Sequence, residues 1–345
     1  MHVRRISSIL CTFALSASAV SAAYAAAPQQ QFADMGELQL ENKATISDCS
    51  IGYRTFGTMN ADKSNVILFT TWHTGTSRDA AGMLQSGALF DPAPWYVIVV
   101  DALGNGVSCS PSNSKAQPGP AFPQFSVRDM VASQHKLLTE KLGIKHVHAV
   151  MGYSMGGMQA FQWAASYPGF MDVAIPIAGT PRLTSSDMLF LRIVEKSVLD
   201  EPAYAGGRYA RNPPLPMYNL LFAMNFDSPA HRSARTAPKD FEKFFRESLV
   251  SDPDATDANN SLWQIRAVLG HDIAQGGKLE ETAPRIKARL VPINAAQDHV
   301  VNPAPAIAFA KLRKEEATVL DTDCGHAALR CAMPAMKAVV EKALR

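Results

Sequence analysis

The chain has 345 residues, 47% of them apolar, with 33 Lys+Arg against 31 Asp+Glu. That length suits one large catalytic unit carrying an insertion, near the upper limit for a single hydrophobic core. The balanced charge, without a basic tract, excludes nucleic acid as a partner. No Cys/His spacing resembles a zinc site, so neither metal nor cofactor is expected.

The first segment has a targeting pattern. His2 to Arg5 is basic, Ile6 to Val20 is apolar and small, and Ala23-Tyr24-Ala25 and Ala25-Ala26-Ala27 both offer a small-x-small cleavage pattern. A signal peptide over residues 1–27 is predicted, giving a periplasmic or secreted protein. The apolar run is too short for a permanent membrane anchor. Four cysteines remain after cleavage: Cys49, Cys109, Cys324 and Cys331. An even count in an oxidising compartment allows two disulfides. A local Cys324–Cys331 bridge around His326, pairing of either with Cys49 or Cys109, and free buried thiols all remain open.

Alternating patterns over Leu38–Ile46 and Ile51–Phe56 predict an antiparallel pair. Strands are expected at Val66–Phe69 and Tyr96–Val100, and an amphipathic helix over Val127–Leu142, ending at Gly143. The apolar run Val147–Met151 leads into Gly152-Tyr153-Ser154-Met155-Gly156-Gly157, and a helical run follows over Met158–Tyr167. A further strand is expected over Val173–Ile177. The strand signal then vanishes from about Arg182 to Glu281. Helical stretches such as Ser185–Leu199, Asp240–Leu249 and Ser261–Leu269 alternate there with breaks such as Asn212-Pro213-Pro214. Strands return over Leu290–Ala295 and Ala317–Leu320, before a C-terminal helix. The expected architecture is α/β, a mostly parallel sheet with an inserted helical lid. Its core spans residues 28–181 and 286–345, and its lid 182–285.

Gly-x-Ser-x-Gly between a strand and a helix carries the chemistry. The turn is too tight for flanking side chains, so glycine is needed there. Serine at the apex projects above the sheet, and the next amide sits at a helix N-terminus, where anions are stabilised. Asp298 lies just past one late strand. His326, in Asp323-Cys324-Gly325-His326, lies past the next. In that order the three form a candidate triad: histidine takes the serine proton, and aspartate sets its tautomer. His299 and Asp323 are the nearest rivals. The oxyanion hole needs a second backbone donor from the loop after an earlier strand. Thr70-Thr71-Trp72-His73-Thr74-Gly75-Thr76 is that loop, so the candidate donors are Met155 with either Trp72 or His73.

The run from Gly152 to Ala160 with Trp163-Ala164 resembles the elbow helix of the homoserine O-acetyltransferase family of α/β-hydrolase-fold enzymes. Val127-Arg128-Asp129-Met130-Val131 with Gln134 resembles its preceding helix. Arg182-Leu183-Thr184, Gly206-Gly207-Arg208-Tyr209 and Asp257-Ala258-Asn259-Asn260 with Arg266-Ala267 resemble its cap segments. The likeness covers most of residues 35 to 335. It implies an α/β-hydrolase fold with a lid, an acyl-accepting Ser154 partnered by Asp298 and His326, and a homodimer through the lid. Tyr153, Arg182 and Arg266 are the candidate substrate-binding residues. The sequence also departs from the family. Ala255 stands where its transferases carry an arginine, the elbow begins Gly-Tyr rather than Gly-Gly, and a leader removes the enzyme from cytoplasmic acetyl-CoA. The expected activity is therefore hydrolysis of a small-molecule ester or related acyl substrate through an acyl-enzyme. The alternatives are O-acyl transfer from acetyl-CoA and a non-catalytic secreted binding protein.

Overall fold

The structure is a computed structural model and describes residues 28–250 and 256–345. The proposed leader and Ala255 lie outside the described residues. The chain opens with β1 (Gln31–Gln39) and β2 (Thr45–Phe56), which pair antiparallel. The expected strand Leu38–Ile46 was misplaced, because it runs across the turn between them. Lys43 N donates to Leu40 O there, and Lys43 adopts a φ of 68°. β1 instead begins at Gln31, in a stretch too polar to show clean alternation.

The sheet continues through β3 (Val66–Thr70), α1 (Ser77–Gln85) and β4 (Tyr96–Val100). After them come α2 (Val127–Lys136), β5 (Val147–Tyr153), α3 (Met155–Ser166) and β6 (Met171–Ile177). α2 is shorter than expected, because its last turn loosens into a π-helical segment over Leu137–Lys141. Its start is set by Ser126, whose side chain accepts from Asp129 N while Asp129 reaches back.

Helices alone follow β6: α4 (Ser185–Leu199), α5 (Pro216–Phe226), α6 (Pro229–Arg235), α7 (Phe241–Leu249), α8 (Ala258–Leu269) and the short α9 (Leu279–Thr282). α8 begins three residues before the expected Ser261, since the Asp257 side chain caps it by accepting from Asn260 N. The chain then returns through β7 (Arg289–Leu290), β8 (Ile293–Ala295), α10 (Ala304–Leu312) and β9 (Thr318–Leu320). It ends with α11 (Ala328–Cys331) and α12 (Met333–Ala343). The expected single strand Leu290–Ala295 is broken at Val291-Pro292, where proline has no amide to give a ladder.

The order is β1-β2-β4-β3-β5-β6-β8-β9, with β7 also on β6. β2 meets β4 antiparallel, and every pairing from β4 onward is parallel. The central strands are buried on both faces and read as nearly unbroken apolar runs such as Tyr96–Val100. One apolar cluster lies on the side of α2, α3 and the insert, including Phe161, Trp163 and Leu262. The other holds Phe69, Phe90, Val340 and Leu344. The parallel register leaves Tyr153, Ile177, Ala295 and Leu320 at the carboxyl ends of their strands, so the following loops open on one edge.

Cys49 pairs with Cys109 and Cys324 with Cys331. The first ties β2 to the loop after β4 across 60 residues of sequence. By loop-closure entropy this crosslink contributes about 4 kcal/mol. Replacing Cys49 and Cys109 together by alanine should lower the unfolding free energy by roughly 2–4 kcal/mol in urea titrations. An unchanged midpoint would contradict this account.

Candidate active site

β5 ends in a sharp turn at Ser154, which has φ 57° and ψ −120°. A non-glycine residue holds this conformation only where its surroundings overdetermine it. Ser154 N donates to Ile177 O at 2.8 Å, extending the β5–β6 ladder to the serine itself. A Cβ at Gly152 would collide with Thr70 Oγ1, and one at Gly156 with the Thr70 carbonyl. Both glycines are therefore required by the close approach of β3 to the base of α3. The Thr70 hydroxyl donates to Gly156 O at 2.8 Å, adding a polar tie at the same place.

The loops after β8 and β9 bring the partners. His326 Nε2 lies 2.8 Å from Ser154 Oγ, and His326 Nδ1 lies 2.7 Å from Asp298 Oδ2. Asp298 Oδ1 accepts from the amides of Val300 and Val301 at 2.9 and 2.8 Å. The carboxylate and imidazole are buried. A serine on a ring nitrogen whose opposite nitrogen faces a carboxylate can give up its proton while the ring keeps one orientation. Asp323 is elsewhere: it faces His231 at 3.0 Å, and His299 is exposed.

Met155 opens α3, so its amide has no acceptor within the helix. Trp72 and His73 lie in the loop after β3, and among the described residues neither backbone amide donates to a protein acceptor. All three line a cavity of about 550 Å³ above Ser154. The sheet side of this cavity includes Trp72, Tyr153 and Met158. The insert side includes Leu191 of α4, Tyr218, Phe222 and Phe226 of α5, and Ile265 and Val268 of α8, with Asn219 and Thr256 as its polar members. Tyr153 is buried beside the His326 ring at a centroid distance of 5.4 Å. Burial and the nearby Asp298 charge push its phenol well above the ordinary range, so it stays neutral.

Two expected substrate-binding residues do not line the cavity. Arg182 Nε lies 2.9 Å from Asp272 Oδ1, and its Nη2 donates to Gly277 O. Arg266 Nε donates to Glu195 Oε1 at 2.8 Å, with its guanidinium over Trp263. Both tie insert segments together. Their acidic partners are distant or unpatterned in sequence, so nothing in the motif betrays the pairing. Arg330 is the only lysine or arginine among the described lining residues, and its guanidinium reaches Asp227 at 3.1 Å. Sequence reasoning missed α5 altogether. Its run Pro216–Phe226 is apolar without a helical stripe, although a proline at its first position was an available signal.

An acyl-transfer enzyme of the serine-hydrolase type is the class that this fold and edge-of-sheet constellation define. Residues 84–329 match the family described as alpha/beta hydrolase fold. An ethyl acetate hydrolase from Pseudomonas veronii is 34% identical, over 78% of this chain and 81% of that protein. A homoserine O-acetyltransferase from Geotalea daltonii is 30% identical, over 73% of this chain and 78% of that one. The structure of an acetylester hydrolase from Corynebacterium glutamicum superposes with a TM-score of 0.82 at 26% identity, covering 92% of this chain and 96% of that one. The chain belongs to the α/β-hydrolase-fold family, in the group that joins homoserine O-acetyltransferases and related esterases.

Burial holds the His73 and His271 rings neutral, each with its pKa lowered from 6.5 to about 4. Folded protein then binds fewer protons than unfolded chain between those values. Stability contributed by the neutral rings is full above pH 6.5 and is lost as pH falls toward 4. His271→Gln should flatten that part of a stability–pH curve measured by thermal melting. An unchanged slope would show that other groups govern acid unfolding.

Proposed function

We propose that the protein hydrolyses small-molecule carboxylic esters through an acyl-enzyme. The hydrogen-bonded line Ser154–His326–Asp298 at the foot of an apolar cavity carries this reading. Ser154 Oγ attacks the acyl carbonyl as His326 Nε2 takes its proton. The Asp298 carboxylate holds the ring and stabilises the imidazolium. The amides of Met155 and of Trp72 or His73 receive the oxyanion. His326 then protonates the leaving alcohol. Water, deprotonated by the same ring, releases the acid and restores Ser154.

The cavity favours water over an amino-acid acceptor. A transferase must position a small polar acceptor well enough to outcompete water. For an amino acid that calls for a fixed cation facing its carboxylate. Arg182 and Arg266 are committed to Asp272 and Glu195, and Arg330 is shared with Asp227. The remaining described lining is dominated by aromatic and aliphatic side chains. The similarity to an ethyl acetate hydrolase and an acetylester hydrolase supports this choice.

Export and a lid-mediated homodimer belong to the same proposal. The leader pattern supports export, and no helix among the described residues is long and apolar enough to cross a membrane. Leu189 and Ile193 on α4 are exposed and suit a dimer face.

The purified protein should release p-nitrophenol from p-nitrophenyl acetate without coenzyme A. Ser154→Ala should lower kcat by roughly 10⁴-fold or more, and Asp298→Asn by roughly 10³–10⁴-fold. Acetyl transfer from acetyl-CoA to homoserine that outpaces ester hydrolysis would sink the hydrolase reading. Near-normal turnover by Asp298→Asn would displace the acid.

A further inference from the structure

The loop after β3 is fastened to the helical insert by part-buried polar side chains that the two-step reaction does not use. His73 Nε2 lies 2.9 Å from the Tyr218 hydroxyl and 3.2 Å from Ser261 Oγ, and those two hydroxyls are 3.1 Å apart. Tyr218 belongs to α5 and Ser261 to α8. The His73 ring also stacks on Phe222, at 6.0 Å between centroids and 19° between planes. One residue on, Thr74 N donates to Gln264 Oε1 at 2.7 Å, while Gln264 Nε2 donates to Leu103 O at 3.0 Å. Thr74 has φ 60°, a strained conformation for a β-branched residue. External partners hold it.

Polar groups in this wall carry a desolvation cost that apolar residues of equal volume would not. What such a polar network adds is a more narrowly specified arrangement. We propose that His73 is a positioning residue: through Tyr218 and Ser261 it makes the docking of α5 and α8 a condition for aiming the loop amide at the oxyanion of the Ser154 adduct. Burial keeps the ring uncharged near neutral pH, so the link is intact there. The inference rests on the hydrolytic reading of the Ser154 site. It gives the insert, which brings none of the three reacting side chains, a part in setting the rate. A donor that aims at the oxyanion acts in the transition state, so its misplacement lowers kcat rather than raising KM.

Tyr218→Phe removes one hydroxyl and keeps the ring. With p-nitrophenyl acetate it should lower kcat roughly ten-fold and leave KM within about two-fold, part of the loss expected for a deleted oxyanion donor. Affinity for an alkylboronic acid, which forms a tetrahedral adduct on serine, should fall by the same factor as kcat/KM. Ser261→Ala should act in the same direction and more weakly. It provides the same readouts should Tyr218→Phe fail to fold. A raised KM with kcat retained, or boronate affinity equal to wild type, would overturn the positioning role and leave Tyr218 a wall of the cavity. A wild-type protein that turns over no ester would instead remove the hydrolytic reading on which the inference rests.

Discussion

The contact between the end of β3 and the first turn of α3 governs the geometry of the site. Thr70 touches both Gly152 and Gly156, leaving no room for a Cβ at either. That closeness forces the chain through a sharp reversal, and Ser154 occupies its apex at positive φ. The serine hydroxyl is thereby lifted out of the helix it precedes. The amide of Met155 is left at the helix start, in the positive end of the α3 dipole. Strain at one residue thus yields an exposed hydroxyl and an anion site side by side. The bond from Ser154 N to Ile177 O anchors the strained residue to the neighbouring strand.

The other two groups reach this point by register. β8 and β9 run parallel to β6, so the loops that leave their carboxyl ends open on the same edge. Asp298 is fixed by two backbone amides on one oxygen, leaving the other for His326. The Cys324–Cys331 bridge closes the segment around His326. The imidazole is held from both sides, by a carboxylate with little freedom and by a covalently closed loop. Such preorganisation lowers the reorganisation needed when charge develops.

Much of this was legible before the structure. The strands Tyr96–Val100 and Val66–Thr70 are short apolar runs that only a doubly covered sheet would bury. The elbow glycines have a steric cause that any reader of the motif can state. What escaped has physical reasons too. β1 presents Gln31, Asp34 and Glu37 on a half-exposed edge, which hides its period. α5 spreads its apolar residues around the helix with only Asn219 and Asn225 between them, so no stripe marks it. Arg182 and Arg266 carried the expected charge, but pairing with Asp272 and Glu195 is a tertiary fact. Arginine identity without its partner says little about where the guanidinium points.

The division of labour between sheet and insert bears on how one family holds both hydrolases and transferases. Every atom in the proposed proton path comes from loops at the sheet edge. The far wall of the apolar cavity, with Leu191, Tyr218, Phe222, Phe226, Ile265 and Val268, comes from α4, α5 and α8. A change of acceptor therefore needs no change in Ser154, His326 or Asp298. It needs a cation released from its structural partner, or a new one placed in the insert wall. Releasing Arg182 would leave Asp272 without its arginine, and releasing Arg266 would leave Glu195 with Arg192 alone; stripping a partner from a partly buried carboxylate is destabilising. The ion pairs that brace the insert thereby oppose conversion to an amino-acid transferase. On the proposed reading, the stability of the insert and the choice of water as acceptor are maintained by the same arginines.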